Sequence, residues 1–187
     1  MLSLLARHDE AFEALQRAKD LFTKAGLQKE YFFLRVLCAE GDLQRRRGNL
    51  EASARAFTEG LAIAATAKGQ FPFDAPACAV AFSHTLIAQH RYAEAREKLA
   101  FAEPPLATSP VRLAGVRIAR ARIDVLEGKG SVESLEQSLT LLDAQNLEPT
   151  WRAWARLSLA KLQPERAKEL TARAAAELPP GESGVLQ

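Results

Sequence analysis

Residues Arg45–Ala67 read RRRGNLEASARAFTEGLAIAATA, and residues Ala88–Pro105 read AQHRYAEAREKLAFAEPP. Laid over one another at an offset of 42 residues, Gly48, Leu50, Ser53, Phe57 and Gly60 fall on His90, Tyr92, Ala95, Leu99 and Ala102. One further step back places Ala11, Leu15 and Ala18 under Ser53, Phe57 and Gly60. Three frames therefore share a small residue, a large apolar one four positions on, and another small one three positions later. Spacings of four and seven put all three on one helix face. Small residues let a neighbouring helix approach, and the large one fills the gap between the axes.

Each of the two main frames has an apolar segment upstream. YFFLRVLCAEGDLQRRRG precedes the helix that starts near Asn49, and APACAVAFSHTLIAQH precedes the one that starts at Tyr92. The units are thus helical hairpins with polar turns at Gly48 and at His90-Arg91. Longer connections, KGQFPFDAP and EPPLATSP, lie between units. Pro76 and Pro110 suit first helical turns, where a missing N–H costs nothing, and Pro104 and Pro105 are expected to stop the helix before them.

This arrangement resembles the tetratricopeptide repeat, whose second helix carries a small residue, Tyr or Leu, Ala, Phe or Leu, and Ala at these spacings. Leu37 and Gly41 also fit the family's first helix, while Gln44 stands where an aromatic belongs, and the next first helix has Ala79, Ser83 and Leu86. A period of 42 exceeds the family's ~34 and is similar to the long-period form found in bacterial signalling ATPases and transcriptional regulators. The resemblance implies an all-α, right-handed solenoid of about four hairpins, with eight or nine helices, as a single domain over residues 1–178. Residues 179–187 are expected to be a disordered tail.

The ends are less regular. The first frame has a full second helix but only a few residues before it. Either the chain caps itself there or it is a segment of a longer array, and Leu4, Leu5, Phe12 and Leu15 are left short of neighbours. After residue 110, VRLAGVRIARARIDVLEGKGSVESLEQSLTLLDAQN is another hairpin. Val116, Ala119, Ile123 and Leu126 give its first helix the better inner face, since the alternative register buries Arg117 and Arg120. In the last hairpin, which Pro164 turns, Trp151 and Trp154 either fill the core or form a stacking platform. Phe71 and Phe73 either tuck over the hairpin ends or make a sticky loop.

Composition narrows the function classes. Lys plus Arg number 25 and Asp plus Glu 23, a net charge of +2 that does not call for nucleic acid. No apolar run approaches the ~18 residues of a membrane span, and the start has too short an apolar run for a signal peptide. Cys38 and Cys78 each sit in an apolar stretch and read as small buried hydrophobes in a reducing, cytoplasmic compartment. His8, His84 and His90 have no second ligand-type residue three or four positions on along an apolar face, and no phosphate-binding glycine motif occurs. The expectation is a chain without catalytic residues, cofactor or metal.

In the family, the first helix of each hairpin lines a concave groove that holds peptides or partner helices. The resemblance carries that role onto Arg35, Cys38, Asp42, Arg45 and Arg46 in one hairpin, and onto Ala77, Val80, His84, Ile87 and Ala88 in the next. Arg35, Asp42, Arg45, Arg46 and His84 are the candidate binding residues, suited to a partner with an acidic group and an apolar anchor. The Arg45–Arg47 run reads either as such a site or as a solvated helix end that complements the dipole. Neither Arg35 nor Arg45 belongs to the small–large–small face, so reversing both to Glu is expected to leave the fold intact. The resulting expectation is a non-enzymatic protein-interaction module of a bacterial regulatory system. The alternatives are a self-associating domain, joined through its N-terminal hairpin, and a fragment of a larger regulator.

Overall fold

The computed structural model describes residues 8–66, 74–144, 146 and 148–178, and among these every regular element is helical. The helices are α1 (His8–Lys24), α2 (Tyr31–Arg46), α3 (Leu50–Thr66), α4 (Asp74–Ala88), α5 (Tyr92–Leu106), α6 (Pro110–Leu126), α7 (Val132–Ala144), α8 (Pro149–Leu162) and α9 (Ala167–Glu177). A 3-10 turn, Pro164–Arg166, leads into α9, so Pro164 opens that turn and the helix follows it. The expected Phe71–Phe73 loop and the tail 179–187 lie outside the described residues, as do Leu4 and Leu5.

Four helices end in the same way. After α1, α2, α4 and α6 comes one residue with positive φ, namely Gly26, Gly48, His90 and Gly128. In each case its N–H bonds back to the carbonyl three residues earlier, and the next N–H to the carbonyl five residues before it. That is the Schellman cap, which satisfies carbonyls a helix end leaves open. His90 adopts φ 58 where glycine is usual, and its Nδ1 lies 2.9 Å from the Tyr92 hydroxyl. At Gly48 the space around an added Cβ is empty, so only the backbone resists a side chain. Gly48→Ala is expected to cost about 1–2 kcal/mol, the left-handed penalty alone, read as a shift in urea midpoint at unchanged slope.

The chain forms two compact units, Met1–Pro105 and Leu106–Gln187. In the first, α2, α3 and α4 touch one another pairwise, and α1 packs on α2. The small–large–small face of α3 lies at the centre. Phe57 is fully buried, and a Cβ at position 41 would come within 2.8 Å of its ring, so Gly41 is what lets α2 approach. The Ser53 hydroxyl donates to the Gly41 carbonyl at 2.7 Å and shares a 2.8 Å hydrogen bond with the Thr85 hydroxyl. One small buried polar residue thereby ties α3 to both α2 and α4, with its bonding satisfied. Phe57 also stacks on Phe82 of α4 at 5.5 Å. In α5, Ala95, Leu99 and Ala102 are as fully buried as their counterparts in α3. In α1, Ala11 is buried while Leu15 and Ala18 are only half so.

Pro104 and Pro105 do not stop α5, which runs to Leu106. Both lie in its last turn, where the residues whose carbonyls lose a donor, Ala100 and Phe101, are exposed and have solvent as an alternative. Leu106, which ends the helix, is buried.

In the second unit α6, α7 and α8 also touch pairwise, and α9 packs on α8. Ala114, Ile118, Ala121, Leu135, Leu142, Trp154, Leu159 and Leu170 form its core, with Trp151 against it. A Cβ at Gly115 would sit 2.6 Å from the Trp151 ring, a second close approach across a glycine. Both tryptophans therefore fill core. Val116, Ala119 and Ile123 are buried as the sequence suggests, with Arg117 exposed, whereas Leu126 is exposed.

Candidate functional site

Of the five candidate residues, three converge within α2. The Asp42 carboxylate accepts from Arg45 Nη2 at 2.7 Å through one oxygen and from Arg46 Nε at 2.7 Å through the other. Spacings of three and four place all three on one helix face. Arg45 is 5 % exposed and Arg46 is also largely covered. Burial by itself would push the Asp42 carboxyl up, but the two guanidinium groups outweigh it and hold it well below the usual carboxylate range. The charge run at 45–47 is therefore not a solvated helix end for two of its three members. Arg47, the third, reaches α1, with Nη2 3.2 Å from Asp9 and its guanidinium 4.9 Å from the centre of the Phe12 ring.

This corrects the expectation that reversing Arg45 leaves the fold intact. A glutamate there would set a second carboxylate beside Asp42 in a buried site and remove one of the two guanidinium groups that hold it. Asp42 also links stability to pH. A carboxyl held below its unfolded value stabilises the fold above that value, near 4, and loses the contribution as pH falls. Acid unfolding below about pH 4 should accordingly be shallower in Asp42→Asn, which should already be less stable at neutral pH. Denaturation midpoints at stepped pH check both.

Arg35 and His84 stand apart from this cluster. Arg35 is 61 % exposed, with Nε 3.8 Å from Asp74 at the start of α4. His84 is 4 % exposed, on a helix buried around most of its circumference. It is a core histidine rather than one presented on an open surface. Arg35 is thus the member of the set whose charge is accessible.

The sequence reading missed two features. Cys38 and Cys78 are joined as a disulfide that links α2 to α4, with Cα atoms 5.7 Å apart. They are not separate buried thiols, and one argument for a reducing compartment falls with them. Gly60 of α3 leaves room for the Cys38 sulfur, 3.3 Å from where its Cβ would be, but the cysteines are 40 residues apart and so do not share a position in the 42-residue register. The second feature is a charged clamp in the other unit. Arg156 of α8 donates through Nη2 to both Asp143 oxygens of α7, at 2.8 and 2.7 Å, and through Nη1 to Glu177 of α9. Arg152 flanks the same two acids at 3.7 and 3.6 Å. Burial pushes the Glu177 carboxyl up against the pull of Arg156 and Arg152. Two arginines one turn apart gave no hint of this, because their acids come from other helices.

Among the described residues no three His, Cys, Asp or Glu side chains are grouped to hold a metal, and no helix is long and apolar enough to cross a membrane. An open depression on α7 is lined by Val132, Glu133, Glu136, Gln137 and Thr140.

No family model, curated protein or solved structure matches the chain.

Proposed function

We propose that the chain is a non-enzymatic helical-repeat module that binds a partner protein, its hairpins stacked in the manner of a long-period tetratricopeptide solenoid. The observation that carries this reading is the packing of α2, α3 and α4. A first helix, a second helix and the next first helix touch pairwise around one small–large–small face, which is how consecutive hairpins stack in a repeat. A surface of this kind works by presenting side chains, and on α2 the exposed ones include Phe32, 60 % exposed, and Arg35 one turn later. Together they suit a segment with an apolar anchor and an acidic group. Arg45 and Arg46 shape this face from within by fixing Asp42, and do not meet the partner.

Site-specific photo-crosslinking in the native host tests the reading. A crosslinker at position 35 is expected to capture a discrete polypeptide, and one at Glu59, exposed on α3, is not. With the captured partner purified, Arg35→Glu should weaken the complex about tenfold, the scale of one exposed-to-half-desolvated charge contact. Equal capture at both positions, or unchanged affinity in the variant, would remove this face as the site.

A further inference from the structure

We infer that the Cys38–Cys78 disulfide is a reversible thiol–disulfide switch that sets the contact between α2 and α4. Two ties cross this contact about one turn apart. The bond joins Cys38 of α2 to Cys78 of α4. Arg35, three residues before Cys38, places its Nε 3.8 Å from Asp74, four residues before Cys78. These spacings put each member of the ion pair on the same helix face as its neighbouring cysteine. The two sulfurs differ in access. Cys78 is 3 % exposed, whereas Cys38 is only partly covered. An outside thiolate therefore reaches Cys38 without unfolding of the unit, and access is one of the factors that set the rate of exchange. The chain has two cysteines, so no third thiol diverts the exchange.

Opening the bond leaves the core around it in place. Disulfides are indispensable in small domains that cannot build a hydrophobic core. Here Leu34, Leu37, Phe57, Leu86 and Leu99 are fully buried. The central helix α3 also holds both neighbours: Phe57 meets Gly41 and Phe82, and Ser53 bonds to Gly41 and Thr85. What changes is the spacing at the sulfurs. Two thiols need van der Waals separation, and Gly60 backs the Cys38 sulfur on the α3 side, so the gap opens between α2 and α4. The opening is a two-electron reduction by a dithiol. One thiolate of the reductant attacks the Cys38 sulfur, the bond to Cys78 breaks, and Cys78 leaves with the electron pair and takes a proton from water. The second reductant thiolate attacks the reductant's own sulfur in the mixed disulfide and releases the Cys38 thiolate, one turn from the Arg35 guanidinium, which favours it. The reductant ends as a disulfide and the chain as a dithiol. Glutathione disulfide runs the exchange backwards and ends as two glutathione thiols. Resting on the binding reading above, the switch acts on the partner face, because parting α2 from α4 takes Asp74 away from Arg35.

The test treats the full chain with dithiothreitol in native buffer, then alkylates free thiols and locates them by peptide mass. The reduction rate is expected to rise in proportion to dithiothreitol and to stay flat in urea below the unfolding transition. A bond reached only through global unfolding would instead be reduced at a rate that climbs with urea. Reduced glutathione, a monothiol, should leave its trapped adduct predominantly on Cys38. The reduced chain should keep its helical circular dichroism, while amide exchange quickens in α2 and the first turns of α4 and stays unchanged in α6–α9. Glutathione disulfide should restore the bond and the original exchange pattern, and Cys38→Ser/Cys78→Ser should respond to neither reagent. Any of several results would overturn the inference. These are free thiols before reductant is added, reduction that tracks urea, an adduct equally or mainly on Cys78, loss of helicity on reduction, exchange indifferent to reduction, failure to reoxidise, or the same response in the serine variant. None of these readouts uses a partner, so they hold whether or not crosslinking at position 35 captures one.

Discussion

Phe57→Ala is expected to cost the first unit about 3–5 kcal/mol, the range for emptying a fully buried phenylalanine site. The upper part of the range applies if the cavity stays open. Phe57 touches α2 at Gly41 and α4 at Phe82, and these helices are also held apart at a fixed distance by the hydrogen bonds of Ser53 to Gly41 and Thr85. A collapse that filled the void would have to break those bonds, so relaxation is limited. Leu99→Ala, at the equivalent position of α5, should cost about 2–5 kcal/mol. Urea unfolding followed by circular dichroism gives both numbers. Losses under about 1 kcal/mol at both sites, well below that range, would mean that the 42-residue register does not describe the packing.

Replacing both cysteines with serine should cost about 4 kcal/mol. The bond closes a sequence separation of 40 residues, and the loss of loop entropy from the unfolded chain scales with the logarithm of that length. The effect falls on the contact between α2 and α4, which the Ser53–Thr85 hydrogen bond supports only indirectly, through α3. In the wild type a dithiol reductant should lower the urea midpoint by a matching amount, and in the double serine variant it should do nothing. A wild-type midpoint indifferent to reductant, with two thiols counted in the unfolded chain before reduction, would show that the bond does not form in solution.

The helices and their turns were legible in the sequence because their causes are local. Small–large–small spacing marks a face at a period of 3.6 residues, and Gly48 and Gly128 mark turns that need a left-handed residue. The burial of Phe57, Leu99, Val116, Ala119 and Ile123 followed from the same periodicity. Pro104 and Pro105 misled because proline's local penalty is real, but an exposed last turn can meet it with solvent.

The candidate site was legible only in part. Arg35, Asp42, Arg45 and Arg46 were rightly placed along one helix, yet spacing along a helix cannot say whether a guanidinium reaches solvent or a carboxylate. Nothing in the sequence separated accessible Arg35 from buried Arg45, or a groove-facing His84 from a core one.

By itself, then, the sequence determined that this chain is helical, where most of its helices turn, and which faces carry the core, since each of these depends on residues within a few turns of one another. The tertiary structure alone decided the partners: Cys38 with Cys78 across 40 residues, Arg156 with Asp143 and Glu177, and Ile63 with the apolar face of α2. Those pairings depend on how separate helices are brought together, and the distance between two side chains on different helices is not encoded in the spacing of either.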